Sequence, residues 1–177
     1  PMAIMTVYSN PYIFNKLILV SPQDIKSALK TPDKMCEIRR YLLNSPVLGT
    51  LIYNICMSRQ KLNSGFVLKY FNNKNSISQN LIDIYSENAH LGGSNAKYLF
   101  TSTECHYTTV SISKAVSKID NSIYIINGSC DTTAIESAKL YKSLNPAIES
   151  VTIENAKHYP QIEQPLKFIK NIDIFLS

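Results

Sequence analysis

The chain has 177 residues, of which 45% are apolar and 18% charged, with a formal net charge of +5. That is enough for one ordinary domain with its own core, and it excludes a disordered chain, a collagen and a disulfide scaffold. Glycine, at five residues, falls under half its usual share of about 7%, which disfavours a glycine-rich phosphate loop. The cations are mostly lysine, are scattered, and form no run longer than Arg39-Arg40. A nucleic-acid partner is therefore not expected. Cys36, Cys56, Cys105 and Cys130 form no CxxC pair and stand near no histidine at ligand spacing. Neither a metal nor an organic cofactor is expected, and four reduced thiols fit a cytoplasmic protein.

In chain order, residues 1–9 read as an apolar helix stopped at Asn10-Pro11. They lack the basic opening of a signal peptide. Lys16-Leu17-Ile18-Leu19-Val20 is a short apolar run without alternation, as in a strand buried on both faces. From Asp33 to about Thr103 the spacing turns helical, in four or five short segments without a strand. The uncharged run Tyr41–Ser58 approaches a membrane span in length but contains Pro46, Gly49 and two asparagines. It reads as two buried helical pieces joined at Ser45-Pro46, and membrane contact is not expected. Tyr53, Phe66, Tyr70 and Tyr85 read as the core of this helical region.

Thr109–Ser117 reads as one more helix. Ile123-Tyr124-Ile125-Ile126 is a second buried strand, Thr133–Leu144 an amphipathic helix, and Ile148–Ile153 a third strand. Pro165–Leu176 closes the chain as a helix with Leu166, Ile169, Ile172 and Phe175 on one side. Strands joined by helices predict an α/β fold with a three-stranded parallel sheet.

Ligands of an open parallel sheet sit beyond the carboxyl ends of its strands. After the second strand comes Gly128-Ser129-Cys130-Asp131, and after the third Asn155-Ala156-Lys157-His158-Tyr159-Pro160. An acid and an imidazole thus leave neighbouring strands at one edge. A carboxylate bonded to one imidazole nitrogen leaves the other to act as a base. Asp131 also reads as a helix N-cap beside Thr132-Thr133, and Glu163 reads as a brace for the histidine loop. Cys130 has no base arranged for it and is not read as a nucleophile; His90 and His106 read as caps or surface residues.

Gly128 with Asp131, followed by His158, Pro160, Glu163 and Pro165, resembles the C-terminal half of the α/β-hydrolase fold. The apolar helix, the Asn-Pro stop and the strand Lys16–Val20 resemble the helix after that fold's nucleophile elbow and its next strand. The resemblance implies a hydrolase core over residues 1–32 and 104–177, with a helical cap over 33–103. It implies Asp131 as triad acid, with Asp24, just past the first strand, as the rival because some members place the acid there. It implies His158 as base in an esterase-like enzyme of a small or medium apolar ester, with a minority of Tyr53, Phe66, Tyr70 and Tyr85 lining an acyl pocket. The Gly-x-Ser-x-Gly elbow is absent, and so are the oxyanion donors that accompany it. The nucleophile is therefore expected upstream, in a missing N-terminal half or a second chain, and this fragment alone is expected to be inactive. An Asp nucleophile, as in epoxide hydrolases and dehalogenases, and a truncated or partner subunit without catalysis are the alternatives.

Overall fold

The computed structural model describes Pro1–Ser177. The chain divides into two units, one of residues 1–29, 70–76 and 110–177, the other of 30–69 and 77–109. In chain order the elements are α1 (Met2–Ser9), β1 (Lys16–Val20), α2 (Ile25–Ala28), α3 (Lys34–Asn44), α4 (Leu48–Cys56), α5 (Arg59–Gly65), α6 (Gln79–His90) and α7 (Ala96–Glu104). They continue with α8 (Ser113–Val116), β2 (Ser122–Gly128), α9 (Thr132–Leu144), β3 (Glu149–Ile153), α10 (Pro160–Glu163) and α11 (Pro165–Leu176).

The first unit is built on a parallel sheet in the order β1-β2-β3. Leu17 pairs with Ile123 and Val20 with Ile126; Tyr124 pairs with Glu149 and Gly128 with Ile153. The central strand β2 is buried from Ile123 to Gly128, and its alternation feeds two cores. Ile123 and Ile125 pack with Ile4 and Val7 of α1, Ala115 and Val116 of α8, and Ala138 and Tyr141 of α9. Tyr124 and Ile126 pack on the other face with Ile153, Ala156 and Phe175 of α11. Burying each such isoleucine contributes roughly 1.5–3 kcal/mol. Helices on both faces explain why β2 is apolar without a break from Ile123 to Ile126. The edge strand β1 is only half-buried along Leu17–Val20, with Lys16 exposed.

The second unit is helical, with α3 to α7 and no strand. Three of its helices start at side-chain caps. Asp33, Ser58 and Ser78 accept from the backbone N–H of Cys36, Lys61 and Leu81. Lys97 is buried; its Nζ donates to Ser45 O and Thr50 Oγ1 at 2.9 Å and to Pro46 O at 3.4 Å, satisfying carbonyls just past the end of α3. The stretch 70–76, which interrupts this unit in sequence, belongs with the sheet.

Four expectations differ in detail. Tyr41–Ser58 does form two helices broken near Ser45-Pro46, but they are not buried pieces. Leu43, Gly49 and Tyr53 are buried, while Tyr41 and Val47 are 86% and 82% exposed. A short helix can turn only one stripe inward, so a run apolar all round leaves the rest outside. On α11, Phe168, Ile172 and Phe175 face the core, while Leu166 and Ile169 are exposed; the aromatic pair sets the inward face. The helix expected over Thr109–Ser117 is confined to Ser113–Val116. The β-branched Thr108, Thr109 and Val110 disfavour helix, and Thr109 Oγ1 instead donates to Lys30 O and His106 O. Tyr70 lies in the sheet unit, not in the core of the helical one.

Candidate functional site

Two loops leave the sheet side by side, because Gly128 and Ile153 are register partners at the ends of β2 and β3. Their backbones are stitched together. Ser129 N donates to Ile153 O and Cys130 N to Ala156 O, both at 2.9 Å, and Asn155 N donates to Ser129 Oγ at 3.1 Å. Asn155 turns the chain at φ +59°, a left-handed conformation that asparagine tolerates. Gly128 permits this approach. A Cβ there would lie 2.1 Å from Lys157 O and 2.3 Å from Ala156 O, contacts no side chain can make.

The stitching brings Asp131 and His158 together, with His158 Nδ1 lying 3.0 Å from Asp131 Oδ2. The carboxylate is acceptor-only, so Nδ1 carries the proton and Nε2 is left to take one up. The Asp131 side chain is 13% exposed and that of His158 36%, so the acid is shielded and the imidazole remains reachable. Asp131 divides its two oxygens, for Oδ1 accepts from Ala134 N at 3.0 Å and caps α9. The cap and the imidazole partner are thus one residue, and the helix anchors the acid.

Asp24 stands elsewhere. Its Oδ2 accepts from Ser27 N and Ser27 Oγ, capping α2. His90 Nδ1 pairs with Ser86 O one turn back on α6 and its ring lies against Tyr53. His106 closes α7 at φ +61°. Cys130 is exposed beside Ser129 Oγ. No group of three or more His, Cys, Asp or Glu side chains gathers so as to hold a metal ion. No helix is long and apolar enough to cross a membrane.

The Tyr70–Asn73 segment is the part of the site that escaped the sequence, while Glu163 does brace the histidine loop. Tyr70 O accepts from His158 N at 3.0 Å, and the Tyr70 ring lies 5.4 Å from the imidazole. Glu163 Oε2 accepts from Lys157 N at 2.7 Å, while its Oε1 accepts from Asn72 N at 2.9 Å and Asn73 N at 2.8 Å. The position of Glu163 after the histidine suggests a brace, but nothing local points to residues 70–73 as its partner.

No protein-family model matches the chain, and neither does a curated protein sequence. Solved structures do. A meta-cleavage product hydrolase from Pseudomonas fluorescens superposes with a TM-score of 0.69 at 14% identity, over 99% of this chain and 60% of that one. The Cfl2 protein of Burkholderia cenocepacia gives 0.68 at 14%, over 99% and 62%. A carboxylesterase from Bacillus subtilis gives 0.59 at 15%, over 99% and 55%. Identities this low carry the fold and not the activity. The chain spans about 60% of the length of the first two structures. With its three parallel strands, flanking helices and helical insertion between β1 and β2, the chain is a partial α/β-hydrolase fold.

Proposed function

We propose that this chain supplies the acid and the base of an esterase-like active site that cleaves a small or medium apolar ester. The observation that carries the reading is the 3.0 Å contact between His158 Nδ1 and Asp131 Oδ2, at the carboxyl ends of adjacent strands. A serine on a segment outside Pro1–Ser177, or on a second chain, attacks the ester carbonyl. His158 Nε2 takes the serine proton and returns it to the departing alcohol. It then takes a proton from water, which attacks the acyl-enzyme, and returns that proton to the serine oxygen. Asp131 holds the imidazole in the required tautomer and stabilises the imidazolium at each transfer. The oxyanion donors accompany the nucleophile. The helical unit, residues 30–69 and 77–109, corresponds in chain order to the cap insertion.

The test is an assay on p-nitrophenyl esters. The 177-residue chain alone is expected to show neither burst nor turnover. Co-expression with a nucleophile-bearing N-terminal half is expected to restore turnover, and His158→Ala to reduce it by about 10⁴-fold or more. Turnover by the chain alone that His158→Ala abolishes would overturn the reading that the nucleophile lies elsewhere.

A further inference from the structure

We propose that Glu163 is a positioning residue for His158, acting as an acceptor-only clamp that fixes the backbone on both sides of the imidazole. The inference rests on the reading of Asp131 and His158 as the acid–base pair. A single hydrogen bond to Asp131 fixes the tautomer but leaves the ring free to pivot about that contact. Two aromatic side chains also lie against the imidazole. Tyr70 has its ring centroid 5.4 Å from that of His158, and Tyr159 packs edge-on at 5.3 Å with an interplanar angle of 83°. Tyr159 is adjacent in sequence, whereas Tyr70 arrives on a segment 88 positions earlier and has to be held there.

Glu163 holds it. One carboxylate oxygen takes the N–H of Lys157, the residue before His158; the other takes the N–H groups of Asn72 and Asn73, just past Tyr70. His158 N closes the circuit by donating to Tyr70 O at 3.0 Å. The histidine backbone is therefore tied to the segment at Lys157 through Glu163 and directly at His158. All three groups bonded to Glu163 are donors, so both of its side-chain oxygens act as acceptors, as those of a carboxylate do. A glutamine amide would set N–H against N–H on one side. Aspartate retains the charge but is one methylene short of bridging Lys157 to residues 72–73.

The test reads the imidazole directly, without substrate. Three histidines are present, and ¹⁵N-imidazole spectra with His158→Gln as the assignment control isolate the Nδ1–H signal of His158. The full chain is expected to show the Nδ1-protonated tautomer with a protected proton. Glu163→Gln is expected to speed exchange of that proton by about tenfold or more, because local opening governs protection, while amide signals of β2 and α9 stay in place. Asp131→Asn separates the two claims. Loss of the signal in Asp131→Asn with no change in Glu163→Gln would overturn the clamp and leave the pair standing. Survival of the signal in Asp131→Asn would overturn the pair itself. Should Glu163→Gln fail to fold, Glu163→Asp decides: a comparable rise in exchange supports the clamp, and an unchanged rate overturns it.

Discussion

A Cβ on Gly128 would lie 2.1 Å from Lys157 O, whereas Gly65 in α5 has nothing within 4 Å of the same atom. The sheet unit positions its two site loops by backbone meeting backbone, and side-chain replacements have little room there. The helical unit is held by caps and by the buried Lys97 ammonium, and it leaves large apolar side chains such as Tyr41 and Val47 outside. A contact this close recurs in the helical unit between α3 and α4, where a Cβ on Gly49 would lie 1.9 Å from Leu43 O; at the site loops it sets the two strand ends that carry Asp131 and His158. The surface of α5 at Gly65 is looser than either of these places.

Gly128→Ala is the sharpest way to break this contrast. Displacing the backbone of Ala156 and Lys157 is expected to cost about 3 kcal/mol or more by urea denaturation. A loss under about 1 kcal/mol would show that the loops yield. Lys97→Met comes next, since it strips the donor from Ser45 O, Pro46 O and Thr50 Oγ1. The expected loss is about 1–3 kcal/mol, and an unchanged midpoint would mean that water replaces the ammonium.

Tyr141→Phe is expected to cost about 1 kcal/mol, by removing the hydroxyl that donates to Gln23 O at 3.0 Å. Burial, with a smaller contribution from Asp24, pushes the Tyr141 phenol up to about 12. A folded value above the unfolded one favours the neutral form. This contribution is complete below about pH 10 and is lost as the pH rises towards 12. The alkaline loss of stability is expected to shrink in Tyr141→Phe, and an identical pH profile would contradict that assignment. Gly65→Ala is the smallest change and opposite in sign, a gain of about 0.5–1 kcal/mol from replacing a helical glycine with space around it. A destabilisation there would show that α5 is as tightly packed as the site loops.

Much of the architecture was legible in the chain. The run Ile123–Ile126 is apolar because both its faces are covered, and that pattern needs no tertiary knowledge. The spacing of Asp131 and His158 after successive strands brings them to one edge of a parallel sheet. Side-chain direction was less legible. On α11, Leu166 and Ile169 share the apolar character of Phe168 and Ile172, and only packing against Tyr124 and Ile153 decides which pair turns inward. The Tyr70–Asn73 segment was illegible for a different reason. Its tie to Glu163 joins residues 90 and 91 positions apart through backbone N–H groups, which every residue except proline carries. Such a contact leaves no residue-type signature on its far side.

The central claim is that Asp131, rather than Asp24, partners the imidazole of His158. The most direct measurement compares the ¹⁵N-imidazole spectrum of His158 in Asp131→Asn and Asp24→Asn. The geometry predicts that Asp131→Asn loses the protected Nδ1–H signal while Asp24→Asn, whose carboxylate caps α2, retains it. A signal that survives Asp131→Asn, or disappears in Asp24→Asn, would contradict the account.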